Sequence, residues 1–317
     1  MGNRRIAVLV LGMHRSGTSL TAGLLHRLGL PFGPQLMPPS PDNPSGYFED
    51  TEIVALHDRF LSDIGLDWSD PRLLPENWLD APAALKLAED LAALLQRSYG
   101  AAPAFVVKDP RLCRLLPLWR KLLAALEIEP RCLLVWRHPA QVAASLAKRD
   151  GLALEVSALL WLRHFLDAEL HSRSLRRTLV GLTDILRDPA GCIGRALDEL
   201  NLPAAADMAP HRAWLEALVA PALQHQRQRT LAEFSSPLRN WLERLCSQPE
   251  PLESPSATAE IRRELDAYDR FAGTCFAVHL LDLQTELHRR DEQLAALNRP
   301  IWWRLGRGWP RKRRADA

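Results

Sequence analysis

The stretch IAVLVLGMHRSGTS, residues 6–19, decides the fold. Its first six residues are all apolar, which is typical of a strand buried on both faces, and a glycine-containing turn and an apolar-patterned segment follow directly. Further short apolar runs at 105–107, 132–136 and 179–182 alternate with longer amphipathic segments. This alternation predicts an α/β fold in which helices flank a parallel sheet.

The segments between the apolar runs predict the helices and one long loop. Apolar periodicity predicts helices over Ser19–Leu28, Pro82–Arg97, Leu115–Leu126, Ala140–Lys148, Leu154–Arg176 and Ala190–Leu200. Residues 31–44 are rich in proline and lead into Asn-Pro-Ser-Gly, which predicts an irregular loop. Loops of this length inside compact domains often carry function.

Composition excludes several classes of protein. The 317 residues are 47% hydrophobic and 25% charged, with a formal net charge of +2, so we expect one globular domain with an extension and no nucleic-acid partner. The five cysteines are far apart, which favours reduced thiols over a metal site. The first apolar run has only eight residues and ends at His14-Arg15 without the small-residue cleavage site of a signal peptide. No run approaches the ~20 apolar residues of a membrane span. We therefore expect a cytoplasmic protein.

Residues 12–19 have the composition of an anion-binding loop. Glycines let the backbone N–H groups converge, and the N-terminus of the following helix contributes about half a positive charge. Arg15 adds a fixed cation, and Thr18 and Ser19 add hydroxyls. Thr18 occupies the lysine position of the nucleotide triphosphatase loop G-x-x-x-x-G-K-[ST], and no apolar strand with a magnesium-binding aspartate at its end is apparent. Hydrolysis of ATP or GTP is therefore disfavoured.

Two later strand ends carry further candidate ligands. Arg137 follows the third apolar run, and Ser145 lies eight residues later on a predicted helix, so the two share one phosphate only if the strand end folds over the helix. Lys108 and Arg111 follow the second run, at the edge of the sheet where ligands of open α/β folds bind. A surface or salt-bridging role is the alternative for each residue, and for Arg111 it is equally well supported.

These motifs resemble those of sulfotransferases that use 3′-phosphoadenosine 5′-phosphosulfate (PAPS). HRSGTS at 14–19 is similar to the family's 5′-phosphosulfate loop P-[KR]-[ST]-G-T-T, and RHPAQVAAS at 137–145 matches its 3′-phosphate segment R-x-P-x-x-x-x-x-S. Lysine followed by Asp-Pro at 108–110 resembles tyrosylprotein and bacterial sulfotransferases. The resemblance spans roughly residues 4–202 and implies a P-loop-like sulfotransferase fold with PAPS as sulfuryl donor and no metal.

The resemblance also implies roles for individual residues. The expected cofactor-binding residues are His14, Arg15, Ser16, Gly17, Thr18, Ser19, Arg137 and Ser145. The expected catalytic residues are Arg15, Lys108 and Glu49, where Glu49 would accept the proton of the attacking hydroxyl. Asp50, Glu52 and His57 compete with Glu49 for that role, and an acid beside a glycine turn can also be merely solvated.

The resemblance is incomplete in two places. The segment 182–189 is similar to the family's Y-E-D-L-x-x-D-P but lacks its tyrosine and glutamate, and the late R-K-G-x-x-G stretch that covers the adenine is not visible. Arg227 or Arg229 could replace that stretch, or no residue does. Two other functions therefore stay open: a nucleotide-dependent kinase with the same strand–loop–helix start, and a binding protein that keeps the fold without turnover.

The C-terminal part differs in composition from the rest. We predict a catalytic domain over residues 1–250, a helical extension over 251–298 and a basic tail over 299–317. Leucines at heptad spacing between 280 and 297 predict a short coiled coil and hence an oligomer contact. From residue 288 onward nine basic residues face three acidic ones, which leaves a net charge of −4 for the rest of the chain.

The composition of the tail, residues 299–317, has two interpretations. Trp302, Trp303 and Trp309 lie among its basic residues, a combination that suits the inner face of a membrane. A disordered solubilising end explains the same composition. The tail resembles those of bacterial enzymes that assemble surface polysaccharides, which favours a carbohydrate as the hydroxyl acceptor.

Overall fold

Within the described residues, four parallel strands form one sheet. In chain order they are β1 Ile6–Leu11, β2 Ala104–Lys108, β3 Glu129–Trp136 and β4 Arg176–Gly181. Their order across the sheet is β2-β1-β3-β4, and every neighbouring pair is parallel. All residues of the central strand β1 are buried, as its apolar run predicts. The prediction of an α/β fold with a parallel sheet is confirmed.

The structure is a computed structural model that describes residues 4–41, 43–44, 46–100, 102–202, 213, 230–248, 255–267, 269 and 290. The chain divides into two compact units, residues 1–263 and 264–317. The fold and the site described below belong to the first unit. The predicted coiled coil, the basic tail and the two candidate residues Arg227 and Arg229 lie outside the described residues, apart from position 290.

Helices flank the sheet on both sides. They are α1 Thr18–Arg27, α2 Thr51–Asp63, α3 Pro82–Tyr99, α4 Leu112–Ala125, α5 Pro139–Asp150, α6 Leu154–Ser172, α7 Leu182–Arg187, α8 Pro189–Glu199 and α9 Leu238–Cys246. Residues 255–267 are also helical, and after them the structure describes only positions 269 and 290. In the described part of the chain, none of these helices combines the length and the apolar character needed to cross a membrane.

Two hydrophobic cores lie on opposite faces of the sheet, because successive residues of a strand point to opposite sides. Leu9 and Leu11 of β1 belong to the core that α2, α3 and α4 cover. Val8 and Val10 belong to the other core, which α1, α7 and α8 cover. Because β2, β1 and β3 are adjacent and parallel, their carboxyl ends lie side by side. The loops that follow these strands meet at one edge of the sheet.

Several boundaries differ from the sequence-based expectations. β4 begins at Arg176 and ends at Gly181, while Leu182 already belongs to α7. The sequence pattern missed residues 176–178 because this part of the strand is polar. An edge strand need not be apolar on both faces. For the same reason the predicted helix 154–176 was too long, and α6 ends at Ser172. Helix α2 was not predicted at all, although Asp50 caps its first turn.

The core makes a direct prediction about stability. Leu9→Ala, in the buried centre of β1, should lower the free energy of unfolding by about 2–5 kcal/mol, since it leaves a cavity between the sheet and its helices. Urea denaturation followed by circular dichroism measures the change. Leu85→Ala on α3 is the matched control, because Leu85 is 57% exposed; equal losses from both variants would contradict the assignment of the core.

Candidate active site

The loop between β1 and α1 has a strained backbone. Gly17 precedes α1 with φ of 101°, and Arg15 has φ of 67°; a residue with a side chain in this left-handed region costs of the order of 1 kcal/mol or more. A side chain at position 17 would also come within 2.8 Å of Leu182. The N–H of Gly12 donates to Cys113 Sγ at the start of α4 (3.0 Å). The loop is thus fixed in front of the N-terminus of α1, where anions bind.

Arg15 joins this loop to the residues that follow β3. Its Nε donates to Ser145 Oγ on α5 (2.9 Å), and Arg137 Nη1 donates to the carbonyl oxygen of Arg15 (2.8 Å). Arg137 Nε also donates to Gln141 Oε1 (3.2 Å). The structure therefore brings Arg15, Arg137 and Ser145 into one cluster. Arg137 and Ser145 are linked through Arg15 and not by a bond to each other.

Two guanidinium groups converge in this cluster. Burial lowers the pKa of Arg137, and the positive charge of Arg15 lowers it further. The hydrogen bonds of Arg137 go to neutral oxygens, and none of the described carboxylates forms an ion pair with it. An anion placed here would relieve the repulsion between the like charges and form charge-assisted hydrogen bonds.

Lys108 and Glu49 form a second cluster at the other end of the loop. Lys108 Nζ and Glu49 Oε1 make an ion pair in which the two side chains are only 2% and 4% exposed. Lys108 Nζ also donates to Ser19 Oγ (3.2 Å), and Asn43 Nδ2 donates to the same hydroxyl (3.2 Å). Ser19, in the first turn of α1, therefore connects the anion loop with Lys108.

The proline-rich segment positions Glu49 by three kinds of contact. The N–H of Met37 donates to the carbonyl oxygen of Glu49 (2.8 Å). Phe48, with φ of 58°, packs against His26 and Phe32. Asp50 Oδ1 accepts from the N–H groups of the first turn of α2. The backbone at Glu49 is thus fixed by contacts of the residues before and after it, and its carboxylate pairs with Lys108.

Glu49 has the electrostatic character of a base. Burial raises the pKa of its carboxyl above the ordinary value, although Lys108 opposes this shift. A carboxylate with a raised pKa binds a proton more strongly than a solvated one. The ion pair with Lys108 favours the ionised form of the carboxyl and holds it in one orientation.

The three competing candidates have other contacts. Asp50 caps α2, and Glu52 pairs with Arg97 at the surface. His57 is buried, with Nδ1 2.8 Å from Asp109 Oδ2 and Nε2 accepting from Trp119 Nε1 (3.0 Å). These three side chains serve a helix cap, a surface ion pair and the core, whereas Glu49 pairs with Lys108 beside Ser19 of the anion loop. The geometry therefore favours Glu49.

Asp109 corrects one expectation. A buried strand, β2, does lead into an aspartate, one residue after Lys108, where a magnesium-binding aspartate could lie. Asp109 Oδ1 accepts from the backbone N–H (3.0 Å) and Nη1 (2.9 Å) of Arg111, and Oδ2 faces His57. Burial alone would raise the pKa of Asp109, but Arg111 and His57 hold it well below the ordinary value. Its oxygens are therefore engaged in an internal network.

Arg111 belongs to the same network. It pairs with Asp109 and, through Nε, with Asp58 Oδ1 (2.6 Å). The salt-bridging role that was open for this residue is thus the one that its contacts support. Asn43, Gln141 and Cys113 were not identified from the sequence, because their roles depend on contacts with segments far along the chain.

Two polar atoms of the loop have no hydrogen-bond partner among the described residues: His14 Nε2 and Ser16 Oγ, both buried. Buried polar atoms of this kind are uncommon in folded proteins and call for an explanation, such as a bound ligand. They lie on either side of Arg15 in the chain. The remaining expected loop residues, Gly17 and Thr18, form the turn into α1 and contribute backbone geometry.

The fold is similar to solved structures of sulfotransferases. A sulfotransferase domain from the curacin biosynthetic pathway is 16% identical, with 78% of this chain and 99% of that chain covered and a TM-score of 0.43. A sulfotransferase domain from the olefin synthase of Synechococcus PCC 7002 is 17% identical, with 84% and 96% covered and a TM-score of 0.43. A sulfotransferase from Mycobacterium avium is 16% identical, with 85% and 78% covered and a TM-score of 0.40.

No family model matches the sequence, and no curated protein matches it. The structural similarity is distant, and the function proposed below rests on the residues of the site.

The Asp109 network makes a prediction about stability. Asp109→Ala should lower the free energy of unfolding by about 3–5 kcal/mol, because it leaves the buried Arg111 and His57 without their partner. Since the folded-state pKa is depressed, this stabilisation is complete above the ordinary aspartate pKa of about 4 and fades as the pH falls below it. Urea unfolding at several pH values tests this, with Asp63→Ala at the exposed end of α2 as control. A pH-independent difference would contradict the network.

Proposed function

We propose that this protein is a sulfotransferase that moves a sulfuryl group from PAPS to an acceptor hydroxyl. The observation that carries the proposal is that the anion loop, residues 12–19, contacts a different cluster of charged residues at each of its ends. At one end Arg15 contacts Ser145 and the backbone of Arg15 binds Arg137; at the other end Ser19 contacts Lys108, which pairs with Glu49. A donor with two separate anionic groups and a reacting centre fits this arrangement.

The residues present fit PAPS in three respects. Arg137 and Ser145 supply a guanidinium and a hydroxyl for the 3′-phosphate, and both residues contact Arg15 of the loop. The loop N–H groups and the start of α1 suit the 5′-phosphosulfate. Ser16 Oγ, buried without a partner among the described residues, is available to a ligand oxygen.

The proposed reaction is an in-line displacement at sulfur. The acceptor oxygen bonds to sulfur while the bond between sulfur and the bridging phosphate oxygen breaks, and the hydroxyl proton passes to Glu49. 3′-Phosphoadenosine 5′-phosphate (PAP) leaves with the electron pair of the broken bond. Lys108 and Arg15 stabilise the negative charge that grows on the bridging oxygen, a kind of contribution that is typically worth about 3–4 kcal/mol per donor.

The proposal extends to the acceptor and the cellular setting. We propose a carbohydrate hydroxyl as acceptor and a cytoplasmic location, with the basic tail at the inner face of the membrane and the predicted coiled coil as an oligomer contact. The composition of the C-terminal residues supports the last two points. The roles of Arg227 and Arg229 in covering the cofactor remain a prediction.

Ligand titration separates this function from the kinase alternative. Isothermal titration calorimetry should show binding of PAP without magnesium and much weaker binding of ATP, because Thr18 replaces the loop lysine and Asp109 is engaged by Arg111 and His57. Arg137→Ala should weaken PAP binding about 10- to 100-fold through the loss of charge-assisted hydrogen bonds. Arg187→Ala is the control, since its side chain is 75% exposed. Tight, magnesium-dependent binding of ATP would support a kinase instead.

Kinetics test the role of Glu49. Glu49→Gln should lower kcat by about 10²- to 10⁴-fold while PAP still binds, because the variant keeps the size of the side chain but cannot take a proton. In the wild type, kcat/KM should fall as the pH drops through the raised pKa of Glu49, and the residual activity of the variant should lack this acid limb. Glu52→Gln, which removes a surface ion pair, is the matched control. Unchanged turnover in Glu49→Gln would refute the assignment.

A further inference from the structure

The hydroxyl of Ser19 is contacted by side chains from two other segments of the chain. Lys108 Nζ at the end of β2 and Asn43 Nδ2 in the proline-rich segment each lie 3.2 Å from Ser19 Oγ. An ammonium group can only donate, so Ser19 is the acceptor in its bond with Lys108. The direction of the bond with Asn43 follows from a second contact of the same amide nitrogen.

The amide of Asn43 has one orientation that fits its surroundings. Its Nδ2 also lies 2.8 Å from the carbonyl oxygen of Gly46, and a carbonyl oxygen can only accept. The amide nitrogen and not the amide oxygen must therefore occupy this position, and its two hydrogens serve Gly46 and Ser19. The backbone of Asn43 is fixed as well, because it exchanges two hydrogen bonds with the backbone of Ser40 and accepts a third from the N–H of Gly46.

These two bonds determine the direction of the Ser19 proton. A serine hydroxyl has two lone pairs and one proton, and Asn43 and Lys108 occupy both lone pairs. The proton therefore points away from both side chains, and no described residue accepts it. Ser19 is half-buried in the first turn of α1. A hydroxyl donor at the N-terminus of a helix suits an anionic oxygen of a ligand.

Asn43 also connects the segment that carries the proposed base with the anion loop. The turn between Asn43 and Glu49 is closed by the contacts of Gly46 and by the hydroxyls of Ser40 and Tyr47, which lie 2.6 Å apart. Glu49 pairs with Lys108, which contacts Ser19, and Ser19 contacts Asn43. These contacts form a closed ring, so the anion loop and the carboxylate of Glu49 are held in one arrangement.

We propose that Asn43 is a positioning residue of the donor site: together with Lys108 it directs the Ser19 hydroxyl as a hydrogen-bond donor to the 5′-phosphate of PAPS. Asn43 acts through Ser19 and does not itself touch the donor. Without Asn43 the hydroxyl is free to rotate, and its bond to the ligand weakens. This inference rests on the sulfotransferase function proposed above and deepens it by assigning a residue that orients the donor-binding loop.

A double-mutant cycle tests whether Asn43 acts through Ser19. The affinity for PAP is measured by calorimetry for the wild type, both single variants and the double variant. Ser19→Ala should weaken PAP binding about ten-fold or more, since it removes a hydrogen bond to a charged group. Asn43→Ala should weaken it about three- to ten-fold when Ser19 is present but less than about two-fold in the Ser19→Ala background, because residues that act through one contact are not additive.

The cycle separates this role from a purely structural one. Loss of the contact between Asn43 and Gly46 occurs in both backgrounds, so its effect on the loop cancels. Asn240→Ala is the matched control, because Asn240 Nδ2 donates to Ser236 Oγ over the same distance of 3.2 Å at the exposed start of α9; its PAP affinity should equal that of the wild type.

Thermal unfolding is measured for every variant. If Asn43→Ala does not fold, Asn43→Asp takes its place in the cycle, because its carboxylate has the same shape and accepts the Ser19 proton. Its loss of PAP affinity should again be larger when Ser19 is present. Failure of the wild type to bind PAP would refute the sulfotransferase function itself. PAP binding by the wild type, with equal losses in the two backgrounds or with no loss in either, would overturn this inference alone.

Discussion

The convergence of two guanidinium groups on one loop is the constraint on which the site depends. Arg137 binds the backbone of Arg15, while the side chain of Arg15 reaches Ser145 on α5. The two positive charges repel each other, and burial makes the charged state of Arg137 more costly still. The adjacency of β1 and β3 at the centre of the sheet enforces this arrangement. Such a cost is reasonable at a site that binds an anion, and on the proposed function the two positive charges would attract the phosphate groups of the donor.

Lys108 and Glu49 pose a related problem of energetics. A buried ion pair contributes little to stability, because the desolvation of both charges offsets their attraction. The pair lies beside Ser19, at the end of β2 and next to the anion loop, and on the proposed function this location gives it a role in sulfuryl transfer. The surrounding network of Asp109, Arg111 and His57 holds the end of β2 in place. Those three residues therefore support the site without contributing an available charge to it.

The sequence predicts most of the sheet and the loop, because buried strands and glycine turns have local signatures. It cannot show that Ser145 bonds to Arg15 and not to Arg137, since that depends on how α5 tilts against β3. It also leaves Asp50, Glu52 and His57 in competition with Glu49, and only their tertiary partners distinguish them. The contact of Trp68 with His14 joins residues far apart in the chain, so no local pattern could reveal it.

On the proposed mechanism, the ion pair couples the two halves of the reaction. Before transfer, the negative charge of Glu49 offsets the positive charge of Lys108, so the lysine attracts the donor only weakly. When Glu49 takes the proton of the acceptor, its charge disappears, and Lys108 is left with an uncompensated charge in a buried site. At that moment negative charge grows on the bridging oxygen of the donor. Because electrostatic interactions are strong where water is excluded, proton transfer to Glu49 itself would strengthen the stabilisation of the leaving group by Lys108.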